Sequence, residues 1–339
     1  VQTFAAQTVT GAVSRNINGR ISIGKVYFVF FNRLIVKDIS IISDFRDQHL
    51  DSLAANFGYS DTLLAINKLS VTLSAKEFIK GNIKLNTVRI NGGEFNLQTE
   101  WDKRTNLNRI FKIEKNKQKD TAASSLNLLA NTLKISNFRF TMKNYLRFVP
   151  KGDSTVNFAN LDVRDIYVDI SDVHLKSDTL YAQVNNISGT DVSGLKLGTL
   201  KGKARACGKE AMVSDFYLAD SYSVINSKYF YMKYSSPKDF SDFTGKVRMG
   251  LDFSDSYLSF RTVGKIAPSL EDSRMAYYLN GAVDGPVCSL KLMNFLVTSD
   301  SGDSFVEIDG RINGLPDVSR TMVVAQVKRS SMRFDDLSD

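Results

Sequence analysis

The sequence predicts a mainly β protein, a long sheet hung from one N-terminal helix. Three observations carry this. From Ile21 onward the dominant period of apolar residues is two, the signature of strands with one apolar and one wet face. Val, Ile, Phe, Tyr and Thr are plentiful and only five prolines occur in 339 residues, a composition that fits a pleated, half-buried surface. Helical spacing is confined to the first residues and one short segment further on.

The helix comes first. Val1, Phe4, Ala5, Thr8, Val9, Ala12 and Val13 recur at helical spacing, and Asn16 to Gly19 supplies residues suited to a C-terminal cap. The strand pair ISIGKVYFVFF and LIVKDISIIS follows, then DTLLAINKLSVTLS. Leu69, Val71 and Leu73 alternate with polar neighbours, as do Phe95 and Leu97, Phe138 and Phe140, Leu251 and Phe253, and Leu258 and Phe260. TNLNRIFK, from Thr105 to Lys112, has the pattern of a short helix. Glu114 to Ser125 is polar, charged and rich in small residues, which reads as a loop. Ser235 to Asp242 marks an exposed bend, and three strand blocks separated by Gly, Pro, Asp and Ser turns complete the chain. This divides the chain into residues 1–113, the helix and first sheet segment; 114–125, a basic and polar loop; and 126–339, the continuing sheet.

A loose echo runs through the strands. IVKDISI, LNTVRING, ISNFRFT, VRDIYVDI and VNNISG share an order of apolar, polar, small polar and apolar residues. Their key apolar positions are Ile39, Val88, Phe138, Ile166 and Ile187, the first three about fifty residues apart, within the range of repeat architectures. The echo is equally what a strand-rich sequence yields without a repeat.

The net charge is +8. The basic residues are spread out and form no aromatic-basic nucleic-acid motif, so nucleic acid is not expected as a partner. Lys103, Arg104, Arg109, Lys112, Lys115, Lys117 and Lys119 do cluster, either as a solvated loop or as a patch drawn to anionic head groups. Apolar residues make up 43% and charged residues 24%, which is normal for a globular chain and argues against disorder. No run of about 18 apolar residues is present, so no helix of this sequence spans a membrane.

A reaction centre is not legible. Cys207 and Cys288 have no close Cys or His partner, so zinc spacing is absent, and spacing alone does not decide whether they pair. His49 and His174 stand alone among polar residues. Metalloprotease, nucleophile-elbow and phosphate-loop motifs are missing. Asp162, Asp165, Asp169 and Asp172 form the densest carboxylate set, but they lack the spacing and glycine of a calcium loop. No enzyme activity, metal or cofactor is expected.

With these residues laid out, the chain resembles the amino-terminal part of the TamB-type family, inner-membrane subunits of the translocation and assembly module, and more broadly the AsmA-like proteins. The resemblance rests on ISIGKVYFVFFNRLIVKDISI, DTLLAINKLSVTLS and FIKGNIKLNTVRINGGEFNLQ, then on DFSDFTGKVRMGLDFSDSYLSFRTVGKIAPSL, LNGAVDGPVCSLKLMNF and GRINGLPDVSRTMVVAQVK, in that order along nearly the whole chain. It implies a long, twisted antiparallel sheet curled into an apolar groove, with short accessory helices. It also implies a periplasmic location, an anchor in the inner membrane ahead of Val1, and an outer-membrane barrel partner, TamA-like or another Omp85-type protein, engaged beyond Asp339. The function implied is transport of phospholipid between the inner and outer membranes, assistance to outer-membrane protein assembly, or both. The lining residues would be Phe28, Phe30, Leu69, Val71, Leu73, Phe95, Leu97, Phe138, Phe140, Leu251, Phe253, Leu258 and Phe260. Each is also what a packed strand core would contain. The reading from another class is a secreted β-rich protein that binds or hydrolyses carbohydrate, whose paired carboxylates come from distant strands.

Overall fold

A computed structural model describes residues 17–29, 32–43, 60–79, 84–111, 130–146, 155–267, 270, 272–315 and 317–333. The helix expected over Val1 to Asn18 and the loop expected over 114–125 lie outside these residues, apart from the last two helix positions. The strands are β1 (Gly19–Val29), β2 (Arg33–Ser43), β3 (Thr62–Leu73), β4 (Leu85–Thr99), β5 (Thr132–Asn144), β6 (Asn160–Lys176), β7 (Thr179–Asp191), β8 (Lys196–Ala206), β9 (Glu210–Asp220), β10 (Val224–Lys233), β11 (Arg248–Ser259), β12 (Ala276–Pro286), β13 (Ser289–Ser299), β14 (Phe305–Asn313) and β15 (Met322–Ser331). They hydrogen-bond in sequence order as one 15-stranded sheet that does not close, with β1 and β15 at its edges. The helices among the described residues are short: α1 (Ala75–Ile79), α2 (Asn106–Ile110), α3 (Phe243–Lys246) and α4 (Phe260–Gly264), with two 3-10 turns.

The sheet is mixed, which corrects the expectation of an antiparallel one. Strands β1 to β4 pair antiparallel, as do β8 to β15. Between them β4 and β5 run parallel, Thr87 beside Thr132 through Thr99 beside Asn144. A parallel neighbour cannot be reached by a tight turn; the chain must cross back along the sheet. The link from Glu100 to Asn131 makes that crossing and contains α2, the helix foreseen in TNLNRIFK. Thr105 caps α2, its side chain accepting from the Asn108 amide.

The chain forms two compact units. Unit 1 comprises residues 1–152, 157–169 and 189–192; unit 2 comprises 153–156, 170–188 and 193–339. Among the described residues no second sheet covers the first in either unit. Among the described residues only nine apolar side chains are buried, Val36, Leu63, Ile66 and Ile110 in unit 1 and the rest in unit 2. Most of the apolar strand residues are instead half-exposed.

The sequence echo has a conformational counterpart. Asp38 (φ 56), Gly92 (φ 73), Asn137 (φ 54) and Asp165 (φ 52) in unit 1, and Asp215 (φ 50), Asp255 (φ 44), Gly281 (φ 106) and Asn294 (φ 46) in unit 2, are left-handed. In unit 1 the ladder places residues 38, 67, 92 and 137 side by side. Except for Asn294, which follows Met293, these positions come after a polar residue, as in V-K-D-I at Val36 to Ile39 and V-S-D-F at Val213 to Phe216. In a regular strand, two polar residues in a row send every later side chain to the opposite face. A left-handed residue absorbs the extra step, as in a β-bulge. Ring contacts show the result. Phe230 pairs in register with Val213, so it shares that residue's face. Its ring lies 5.4 Å from that of Phe216, on the far side of Asp215. Val213 and Phe216 therefore face the same way. The shared signature marks a break before Ile39, Phe138 and Ile166; Thr87 in the second echo and Asn186 in the fifth do not adopt it, and β4 breaks at Gly92 instead.

Gly281 shows how tight these breaks are. A Cβ there would meet the Asn294 carbonyl oxygen on β13. Gly281→Ala is expected to lower stability by about 1–3 kcal/mol, through a strained φ and that clash. Gly208→Ala, where a Cβ meets nothing within 4 Å, should change it by less than about 0.5 kcal/mol. Urea unfolding of the two variants measures the difference.

Candidate functional site

The apolar residues of unit 1 form cross-strand rows. Directly paired residues share a face and sit about 5 Å apart. One row runs Phe28, Leu34, Val71, Val88 and Leu133; the next runs Val26, Val36, Leu69, Ile90 and Ile135. Beyond the left-handed residues, a third runs Ile21, Ile41, Leu64, Phe95 and Phe140. Phe95 and Phe140 are stacked at 6.1 Å. Leu97 pairs with Met142, Phe138 sits beside Gly93, and Leu73 pairs with Leu85. All of these expected lining residues are half-exposed except Phe28, which is 73% exposed at the end of β1. Phe30 lies outside the described residues.

In unit 2, Leu251 is in register with Phe230 and Val283. Phe253 meets Phe295 edge-on at 5.9 Å, and Leu258 pairs with Tyr277. Phe260 is a correction: it does not extend the β11 alternation but opens α4. Ser259 caps that helix by accepting from the Arg261 amide, which turns the chain out of the sheet. The Phe260 ring still packs on Tyr277 at 5.6 Å. Nearby, Tyr277, Val297, Phe305, Val306 and Met332 line an apolar hollow of about 160 Å³.

The opposite face of unit 1 departs from the sequence reading. Asn96, Gln98 and Thr141 alternate with apolar residues and were expected in water, yet they are buried. The reason is the β4–β5 crossing, which brings α2 against them. Asn106 on α2 accepts from the Gln98 amide at 3.0 Å and donates to the Asn96 carbonyl at 2.7 Å. Thr141 donates to Asn96 Oδ1 at 2.6 Å, Tyr145 to Gln98 Oε1 at 3.0 Å, and Gln98 Nε2 to the Ser60 carbonyl at 2.8 Å. Burial here is compensated by hydrogen bonds, as polar groups out of water require. The far end of α2 is tied to β1, where the Asn18 amide donates to the Ile110 carbonyl at 2.7 Å.

Beside this network lies a polar cavity of about 380 Å³ bordered by Glu94, Arg139, Lys143 and Asp162. Burial works to raise the Asp162 pKa. Hydrogen bonds from Arg139, at 2.8 and 3.0 Å, and from Arg164 outweigh it and hold the pKa at about 2. Burial, with Arg139 adding repulsion, pushes the Lys143 ammonium below its ordinary value. The sequence marked Asp162 only as one of a carboxylate set and carried no signal for the rest, because the lining comes from Ser60 and from β4, β5 and β6 and meets only through the crossing.

The remaining sequence candidates serve the fold. Asp162 and Asp169 each take a cation from β5, Arg139 and Lys134 respectively. Asp165 and Asp172 are left-handed strand residues. His174 stacks on Tyr181 at 5.2 Å, and His49 lies outside the described residues. Cys207 and Cys288 are free; they occupy the β8–β9 and β12–β13 turns, four strand spacings or on the order of 19 Å apart. In the basic cluster, Arg109 is bound to Glu100 and Asp102, while residues 112 to 119 lie outside the described residues. No group of three or more His, Cys, Asp or Glu among the described residues is placed to hold a metal, and none of the described helices is long and apolar enough to cross a membrane.

No protein-family profile matches the chain, and no curated protein is significantly similar to it. The fold itself defines an open, single-sheet β protein with half-exposed apolar rows.

The Arg139–Asp162 pair gives a direct test of the polar face. The folded carboxyl lies below its ordinary value of 3.8, so its contribution to stability is present above that pH and is lost as pH falls through about 2. In Arg139→Gln the burial persists while the main partner is gone. The Asp162 midpoint, followed by carboxyl NMR, is expected to move upward and acid unfolding to begin at higher pH.

Proposed function

We propose that this chain is the periplasmic part of an inner-membrane-anchored envelope protein of the TamB-type and AsmA-like kind. Its apolar strand face shields phospholipid acyl chains between the two membranes. The observation that carries the reading is the continuity of the apolar rows across β1 to β5, mostly half-exposed and, among the described residues, uncovered by a second sheet. An acyl chain in water costs about 0.8 kcal/mol per methylene. A wall several strands wide offsets that cost along the whole tail, and large apolar surfaces of this kind mark binding. The curl that would make the wall a groove, the location and a barrel partner of the TamA-like or Omp85 type belong to the same proposal. Photo-reactive residues at Val71 and Phe140 are expected to label bound acyl chains, with no labelling from Thr72 or Arg89 on the other face. Equal labelling from both faces would overturn the proposal.

A further inference from the structure

We infer that the end of unit 1 where β4 and β5 finish is a docking surface for an anionic membrane. Because β4 and β5 are parallel and in register to Thr99 and Asn144, both leave the sheet at the same end. The Tyr145 amide donates to the Thr99 carbonyl at 3.0 Å and the Asn144 amide to the Ala159 carbonyl at 2.8 Å, which brings the approach to β6 alongside. Four large apolar side chains project from this end on separate segments: Trp101 is 38% exposed, Phe111 36%, Leu146 46% and Phe158 61%.

The turn that carries Trp101 is built to present them. The Glu100 amide donates to the Arg104 carbonyl at 2.9 Å and the Lys103 amide to the Glu100 carbonyl at 3.0 Å, with Lys103 left-handed at the tip (φ 63). Glu100 is fully buried. Arg109 binds the carboxylates of both Glu100 and Asp102, and its guanidinium lies 5.4 Å from the centre of the Trp101 ring. Arg104, 67% exposed, lies 3.6 Å from the Asp102 carboxylate, so Arg104 and Arg109 together balance Glu100 and Asp102 and the turn's net positive charge is that of Lys103 at its tip.

Exposed Trp, Phe and Leu beside Lys and Arg are the mixture that sits at a bilayer interface, rings among the head groups and cations on the lipid phosphates. Charge complementarity selects an anionic lipid surface over a second copy of this end, which would set like charges together. The inference does not require lipid to be the cargo of the strand face.

Trp101 is the only tryptophan in the chain, so its emission reports on this end alone. With vesicles of mixed phosphatidylglycerol and phosphatidylcholine, the full chain is expected to co-sediment, its emission to shift to the blue and to be quenched by brominated lipid. High salt should reverse all three. Lys103→Gln combined with Arg104→Gln should weaken binding about thirtyfold, near fivefold per basic residue. Phe158→Ser, at an exposed site, should weaken it with the circular dichroism unchanged. Unshifted emission, equal binding to pure phosphatidylcholine, or binding indifferent to these substitutions would each overturn the inference. So would a blue shift that grows with protein concentration in the absence of vesicles. Extraction of single lipids onto the strand face would leave the protein in the supernatant with Trp101 unshifted, so the two proposals fail separately.

Discussion

A strand remembers its parity. One surplus polar residue exchanges its two faces, and in a sheet of this width a single uncorrected slip would scatter the apolar rows across both surfaces. The left-handed Asp, Asn and Gly residues keep the apolar rows of each unit on one side of its strands. They do so where these residue types are cheapest, since a short polar side chain or none at all tolerates a positive φ. The rest of the architecture depends on that constraint. With parity preserved, Phe95 can stack on Phe140 and Phe216 can reach Phe230, and the half-exposed surface stays continuous within each unit.

The two faces of unit 1 then take different roles. On one, apolar side chains remain partly in contact with solvent. On the other, amides and hydroxyls are removed from solvent and bonded to one another and to α2. This reverses the usual arrangement of a soluble domain, where apolar atoms are enclosed and polar ones face out. The polar network gives the unit directional bonds where it lacks a conventional core. A hydrogen-bonded interior specifies one arrangement because each group left without a partner is costly. The free apolar side is tolerable because rigidity is supplied from behind.

Much of this was legible in the order of residues. Alternation around Leu69, Phe138 and Leu251 located the strands, the pattern of Thr105 to Lys112 located α2, and the recurring order of small polar residues marked the strand breaks before Ile39, Phe138 and Ile166 without revealing their conformation. What could not be read has physical causes. Parallel pairing of β4 with β5 depends on how a long polar link is routed, and alternation is blind to strand direction. The burial of Asn96, Gln98 and Thr141 depends on that routing. Phe260 continued an alternation on paper, but the Ser259 cap ended the strand one residue earlier. A local capping bond outranked the period, as turn chemistry commonly does.

Strands that pair in the order they are encoded have a consequence for how the molecule is made. Each new strand finds its neighbour already in place, so a chain emerging from the ribosome can lengthen the sheet stepwise, with short closures and little searching. Strand β5 is the exception. Its partners on β4 lie 45 positions back, as Thr87 to Thr132 shows, and it cannot dock until the whole crossing has been synthesised. During that interval β4 is the growing margin of the nascent sheet, with its amides unclaimed. The parallel step is thus a long closure in unit 1, made only once the whole link is present.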